Sequence, residues 1–507
     1  MQVSPPLRNN RCRRDVLIEG DIGGSPSETH YNVIGWEVLV NRGVVRALSL
    51  LGIFALAACS SSSMSQSMFP QNASSSQDMA AMPPDALTGP ASGDVPFIGP
   101  HPVRALCPNS GDPNRMRCFA WVRTDIQPTL QGAGQVQNDG SICPFYGSAY
   151  CPSDLQSAYK LPSAADGKDK VVAIVDAFGY KHAASDLAEY RREMGLKPCG
   201  VVTKCLRIVN QEGKPSPLPN QPSPSAGGWL GEESLDLDMV SAICPNCRII
   251  LVQTQSDYTS SLYTGVKTAA AIGAHYIGAS WGGAESPANP VFHHPGVVIT
   301  AAAGDNGGGG DYGGSRGGPE APCSFPYVVC VGGTHLVRAN NARGWSENVW
   351  NDFNFDQCGA SGYLACGATG SGCSAKIAKP AWQDDEGCHM RSESDVSATA
   401  SLRAPVAIYN SELGGSCPAH CFYAFGGTSA STQIISAVYA LAGNAGIQNG
   451  AASIWHRHTD LFDVKIGNNL DGLLGVICDS GVKYICTARA GFDGPTGWGT
   501  PKGIAAF

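Results

Sequence analysis

The sequence predicts an α/β protein with a largely parallel central sheet flanked by helices, reinforced by many disulfides. From about residue 149 onward, short unbroken apolar runs end abruptly at polar residues, as residues 171–175 do before Asp176. That is the form of a strand buried on both faces of a sheet. Segments with helical spacing lie between these runs, and such alternation specifies parallel strands with crossover helices. The chain also holds 20 cysteines, which are hard to keep reduced in a cytosol and point outside it.

Taken in order, strands are expected at residues 171–175, 248–252, 276–279, 297–300 and 327–331. Helices are expected at 183–194 and 259–272, with a further apolar helical stretch at 434–442. In open sheets of this kind ligands bind beyond the carboxyl ends of the strands. No internal repeat is evident.

Composition narrows the class. Only 15% of residues are charged, against about 25% in ordinary proteins. At 43% hydrophobic the chain is not a disordered one. The net charge is −8 and no Lys/Arg cluster stands in the body, so no nucleic-acid partner is expected.

The N-terminal part reads as export machinery. An apolar run at 47–58 follows Arg42 and Arg46 and is too short to span a bilayer, which takes about 20 residues. It ends Leu56-Ala57-Ala58-Cys59, similar to the bacterial lipobox, in which the cysteine is lipidated. A plain signal peptide or a buried apolar segment is the alternative. Residues 1–58 are therefore expected to be a start assigned too far upstream plus a lipoprotein signal peptide. Residues 59–102 form a Ser/Pro/Met-rich tether, 103–148 a small Cys-containing extension, and 149–507 the main domain. An exported chain held to a bacterial membrane through Cys59 is expected at the outer membrane or cell surface, or released, and as a monomer.

Without Cys12 and Cys59, eighteen cysteines fall into local pairs: 107/118, 143/151, 199/205, 244/247, 323/330, 358/366, 373/388, 417/421 and 478/486. Local disulfides are the simplest expectation. The Cys244-Pro245-Asn246-Cys247 motif could bind zinc, but no second pair stands at zinc-ribbon spacing.

Three groups carry possible chemistry. Ser429, in Gly427-Thr428-Ser429-Ala430, stands at a helix start, where free backbone N–H groups can hold a developing oxyanion. It can equally be a helix cap. Glu232 and Asp236 lie four apart, on one helix face. If buried they would share a proton and one pKa would rise, which suits a general base in acid. A solvated acidic helix start is the alternative. Asp305, in Gly304-Asp305-Asn306-Gly307, could when protonated donate to an oxyanion, or could simply be a turn residue.

Together and in this order, these groups resemble the sedolisin family of serine-carboxyl peptidases, from about residue 145 to the end. The resemblance implies a subtilisin-like fold and hydrolysis of peptide bonds in acid, endopeptidase rather than tripeptidyl-peptidase action being expected. It implies Ser429 as nucleophile, Glu232 as base, Asp236 holding Glu232, and Asp305 as oxyanion donor. Ser280, Trp281 and Gly282 match the substrate-binding strand, which takes an extended peptide by β-addition. One structural Ca²⁺ is implied at Asp463, Val464, Arg489, Gly491 and Asp493, an all-oxygen donor set. Three departures stand out. Gln433 replaces a common Pro, Trp281 replaces a frequent Tyr, and the segment between Cys59 and residue 149 is too short for the family's usual prodomain.

Two other readings compete. A neutral Ser-His-Asp enzyme could use Asp176, but His335 and His182 are poorly placed for a base, and His293, His294, His456 and His458 read as surface residues. A catalytically silent, lipid-anchored binding module is the other.

Overall fold

The computed structural model describes residues 103–107, 110–124, 135–136, 142–143, 149–223, 226–308, 319–352, 367–413, 421–470 and 482–507. Cys59, the signal and tether segments, and Cys358, Cys366, Cys417 and Cys478 lie outside the described residues.

An eight-stranded, mostly parallel sheet forms the centre. Its order runs Trp345–Val349, Val328–Arg338, Val298–Ala302, Tyr276–Ala279, Val171–Ala177, Arg248–Thr254 and Leu206–Asn210, and Val396–Thr399 pairs with Val328–Arg338. All neighbours are parallel except Trp345–Val349. The apolar runs seen in the sequence are buried throughout: Val172, Ala173, Ile174 and Val175 have no solvent exposure. Five strands thus stand where expected, some longer at their ends. The edge strand Leu206–Asn210 was not expected, because Arg207, its second residue, is exposed and breaks the apolar run.

The expected helices form at Ala183–Glu193 and Thr259–Ala271. Two more pack against each other beneath the site, Gly228–Ile243 and Thr428–Ala442. The first of these decides between two readings of its acids. Glu232 and Asp236 do not stand at a solvated helix start but inside a helix whose residues from Gly231 to Ile243 are all buried. Its sequence hides this, since four carboxylates interrupt the apolar face.

The chain enters the sheet in the middle at Val171–Ala177, builds outward to Leu206–Asn210, then crosses back to Tyr276–Ala279 on the other side. The order therefore reverses between Val171–Ala177 and Tyr276–Ala279, and a crevice opens beyond their carboxyl ends. Asp176 and Ser280 stand at that point.

A second, antiparallel sheet joins Val103–Ala105, Trp121–Arg123, Phe422–Gly426 and Val406–Tyr409. Part of the 103–148 extension is thus built into the body rather than lying beside it.

Six of the expected disulfides are present: 107–118, 143–151, 199–205, 244–247, 323–330 and 373–388. Cys421 and Cys486 are also disulfide-bonded. The Cys244–Cys247 bond removes the thiolates a zinc site would need. Two groupings of cysteine with an acid, around Asp154 and Glu393, likewise contain disulfide sulfur and offer no thiolate ligand.

Packing between the Thr259–Ala271 helix and the sheet is close enough to test. A Cβ at Gly265 would lie 2.6 Å from Val175 Cγ1 and 2.7 Å from Thr254 Cγ2. Overpacking costs about 1–3 kcal/mol, while Gly→Ala in a helix returns about 1 kcal/mol. Gly265→Ala is therefore expected to lower stability by up to about 2 kcal/mol in a urea melt, despite its better helix propensity.

Candidate active site

The nucleophile candidate sits at a sharp strand-to-helix turn. Strand Phe422–Gly426 ends, Gly427 takes φ +107°, and the helix Thr428–Ala442 begins. A side chain at Gly427 is ruled out twice, by this φ and by space: its Cβ would lie 2.1 Å from the Phe119 carbonyl oxygen and 2.9 Å from Asp305 Oδ2. The Ser429 N–H donates to the Phe119 carbonyl at 3.1 Å.

Asp305 closes the other side. Its Oδ1 accepts from the Thr428 N–H at 2.9 Å and from Thr428 Oγ1 at 2.6 Å. Oδ2 is buried and accepts no hydrogen bond among the described residues. Burial pushes the pKa of Asp305 up to about 7, with Thr428 opposing.

Glu232 and Asp236 face the nucleophile helix, both fully buried. Both pKa values are raised well above the ordinary range, by burial first, then by the charge of Asp176. Ser429 and Asp236 are near enough to pull Glu232 partly back down. Neither forms a hydrogen bond with it, and both Glu232 oxygens lack a partner among the described residues. The expected Ser–Glu–Asp chain of hydrogen bonds is thus not made here. Ser429 Oγ instead donates to the Ser280 carbonyl at 3.0 Å and accepts from the Phe119 N–H at 3.1 Å. Those two backbone groups satisfy the hydroxyl.

Asp236 has another partner that the sequence did not reveal. Gln433 Nε2 donates to Asp236 Oδ2 at 2.6 Å and to Ser280 Oγ at 2.9 Å. The replacement of Pro by Gln433 therefore ties the carboxylate helix, the nucleophile helix and the Ser280 strand together. Asp176 adds a further buried carboxyl beside Glu232 and Asp236, its pKa pushed up to about 8 by burial.

Ser280 and Gly282 lie along the crevice, and Trp281–Gly282 pairs antiparallel with Arg117–Cys118. Trp281 does not present its side chain as a subsite wall. Its indole is fully buried, donates to the Val175 carbonyl at 2.7 Å and lies beside Tyr263.

The histidines are engaged elsewhere. His182 pairs with Glu412, His335 with Arg403, His293 stacks on Tyr327 and His458 on Trp498. No imidazole among the described residues bonds Ser429 or Asp176, which removes the geometric basis of a Ser-His-Asp site.

The C-terminal loop gathers the calcium candidates. Asp463 Oδ2 accepts from the Gly491 N–H at 3.0 Å, and Asp493 Oδ2 from the Arg489 N–H at 3.1 Å. Burial first, with the charge of Asp463 adding, pushes the pKa of Asp493 up to about 7. The charge of Asp463 reaches Asp493, and Lys465 Nζ stands 3.6 Å from Asp463 Oδ2; carboxylates with the backbone carbonyls of Val464, Arg489 and Gly491 are the donor types that suit a hard divalent cation.

This arrangement has known counterparts. Residues 225–459 match the model of the subtilase family. Kumamolisin of Bacillus sp. (strain MN-32) is 30% identical over 257 residues, 47% of this chain and 42% of that protein. Sedolisin of Pseudomonas sp. (strain 101) is 26% identical over 382 residues, 69% of this chain and 59% of that one. Over the matched part, the chain is thus similar to subtilases and to these two peptidases. It spans about half the length of these curated relatives. A solved structure of Pseudomonas sedolisin, described as a serine-carboxyl proteinase complexed with two molecules of pseudo-iodotyrostatin, shares the fold at TM-score 0.54 and 23% identity, over 70% of this chain and 96% of that one.

Buried carboxyls also set how stability responds to pH. A carboxyl whose folded pKa is raised favours the folded state when protonated. Its stabilisation is fully present below the unfolded value near 4 and is lost as pH rises through the folded value. Asp305 and Asp176, pushed up to about 7 and about 8, place that loss between about pH 4 and 8. The melting temperature in differential scanning fluorimetry is expected to be higher at pH 4.5 than at pH 8. A higher value at pH 8 would contradict the burial of these groups as acids.

Proposed function

We propose that this protein is an exported serine-carboxyl peptidase that hydrolyses peptide bonds in acid, with Ser429 as nucleophile. The observation that carries this reading is a serine at a helix N-terminus, its N–H already bonded to a peptide carbonyl, facing buried carboxyls and no imidazole.

In the proposed reaction, Ser429 Oγ attacks the scissile carbonyl and Glu232 takes its proton, later passing it to the leaving amine. Asp236, oriented by Gln433, fixes Glu232. The Ser429 N–H and protonated Asp305 stabilise the oxyanion. The carboxyls titrate as a cluster rather than singly. Only a partly ionised cluster contains the carboxylate that accepts the proton, whereas Asp305 must stay protonated. Substrates are proteins or peptides bound as an added strand along Ser280–Gly282.

Calcium, when bound, would brace the C-terminal loop, held by the carboxylates of Asp463 and Asp493 and the carbonyls of Val464, Arg489 and Gly491. Lipidation at Cys59 and attachment to a bacterial outer membrane or cell surface complete the proposal, on the strength of the signal-like sequence before Cys59. The protein is expected to act as a monomer.

Activity on denatured protein should follow a bell-shaped pH profile. Its rising limb reports ionisation of the cluster, and its falling limb deprotonation of Asp305 near pH 7. Ser429→Ala should lower kcat/KM by at least about 10⁴-fold, and Asp305→Ala kcat by about 10²–10³-fold. Turnover peaking near pH 8, or surviving Ser429→Ala, would sink the mechanism. Equal and negligible turnover in wild type and Ser429→Ala would favour a binding module.

Chelation tests the metal separately. A cation at 100 times its dissociation constant stabilises the folded state by about 2.7 kcal/mol. EGTA should therefore lower the melting temperature by several degrees, and Asp493→Asn should remove that response.

A further inference from the structure

The crevice already contains a peptide, and the peptide is the chain's own. Residues 115–123 cross it in an extended form, on the N-terminal side of the body. Arg117–Cys118 pair antiparallel with Trp281–Gly282, placing Gly282 opposite Arg117. The Phe119 N–H donates to the Ser280 carbonyl at 3.1 Å, and the Phe119 carbonyl accepts from the Ser429 N–H at 3.1 Å. The Met116 N–H donates to the Asp257 carbonyl at 2.8 Å on the opposite wall. Beyond the Phe119–Ala120 bond, Trp121–Arg123 pair with Phe422–Gly426, the strand that leads into Ser429.

Direction matters as much as occupancy. A segment running backwards, or offset by one residue, would not place a carbonyl on the Ser429 N–H while its own N–H met Ser280. Here both contacts come from one residue, Phe119, with the peptide bond to Ala120 following. The fit is close elsewhere too: a Cβ at Gly282 would lie 2.7 Å from Phe119 Cε2, and one at Gly283 2.7 Å from Met116 Sδ, so this arm and the crevice wall leave no room between them.

The arm is also braced. Cys118, next to Phe119, is bonded to Cys107. Val103–Ala105 pair with Trp121–Arg123, and the Leu106 N–H donates to the Ala120 carbonyl at 2.9 Å. Pairing thus links the two sides of the Phe119–Ala120 bond. Ionic contacts hold the acyl side: Arg115 meets Asp257 at 2.6 Å and lies over Tyr258, and Arg117 stands 3.8 Å from Glu320. Phe119 is 1% exposed and Cys118 3%.

We propose that residues 115–123 are a built-in, substrate-oriented inhibitor that fills the cleft and presents the Phe119–Ala120 bond to Ser429. The cleft thereby favours extended peptides with an aromatic residue before the scissile bond and arginines two and four residues further back. The inhibition rests on the reading of Ser429 as nucleophile, whereas the binding mode does not. An intramolecular segment competes at an effective concentration on the order of millimolar, so free peptides meet a largely closed cleft.

Binding tests this without turnover. The probe is a fluorescent synthetic peptide of residues 115–123 with Ser replacing Cys118. Three full-length proteins, all carrying Ser429→Ala, are compared by anisotropy: an otherwise unchanged chain, Arg115→Ala, and Arg115→Ala with Arg117→Ala. Affinity should rise at least about tenfold from the first to the last, with the single variant between them and all melting cooperatively. If the double variant does not fold, Arg115→Ala alone must still bind more tightly than the unchanged chain. Equal affinity in the unchanged chain and the folded variants overturns the proposal, as does absence of binding to all.

With Ser429 restored, the loosened variants should turn over denatured protein at least about tenfold faster and cut the probe after Phe119. Cutting the probe only at another bond, or equal turnover in loosened and intact chains, also overturns the proposal. Binding as expected with no turnover in any variant would instead remove the peptidase reading and leave the arm as an occupant of a binding cleft.

Discussion

Four carboxyl groups, Asp176, Glu232, Glu233 and Asp236, lie buried together, and no salt bridge of the described residues reaches any of them. An isolated buried carboxylate is too costly to keep, so such groups hold protons instead. The partners they do have are neutral amides: Gln253 donates to Glu233 and Gln433 to Asp236. Much of the centre follows from this. The Gly228–Ile243 helix can be buried on all sides only because its acids are not obliged to be charged. The end of the first sheet strand and the nucleophile helix close over them.

A contrast within the same chain makes the point. Asp395 is equally buried, but Arg391 pairs with it, Trp455 Nε1 donates to it at 3.0 Å and the Cys330 N–H at 2.8 Å. Asp395 thus has a guanidinium and two N–H donors within reach. The cluster beneath Ser429 has no guanidinium, and a cation placed there would depress the pKa values and fix the charge. The proposed transfer of a proton to Glu232 and back calls for groups free to do either.

Much of this was legible in the sequence, for reasons that differ by residue. Parallel strands buried on both faces leave continuous apolar runs, so residues 171–175 and 248–252 declared themselves. The motifs around Ser429, Glu232, Asp236 and Asp305 were readable because each is compact along the chain. Gln433 was visible only as a departure, since its partners Asp236 and Ser280 are some 150 to 200 residues away. The role of residues 115–123 was not legible at all. Arg117–Cys118 is a two-residue strand with no periodicity, and its partner Trp281–Gly282 is equally short. Trp281, expected as part of the substrate-binding strand, gave no sign in the sequence that its indole is anchored on the Val175 carbonyl.

The two sheets explain why occupancy and chemistry are joined. Strand Phe422–Gly426 runs straight into Gly427 and Ser429, and it also pairs with Trp121–Arg123. The position of Ser429 and the seat of the extension are thus set by one piece of backbone. A Ser429 hydroxyl held between the Ser280 carbonyl and the Phe119 N–H is also one not yet engaged with Glu232. Displacing Phe119 would remove one of those two bonds while leaving the carboxyls in place.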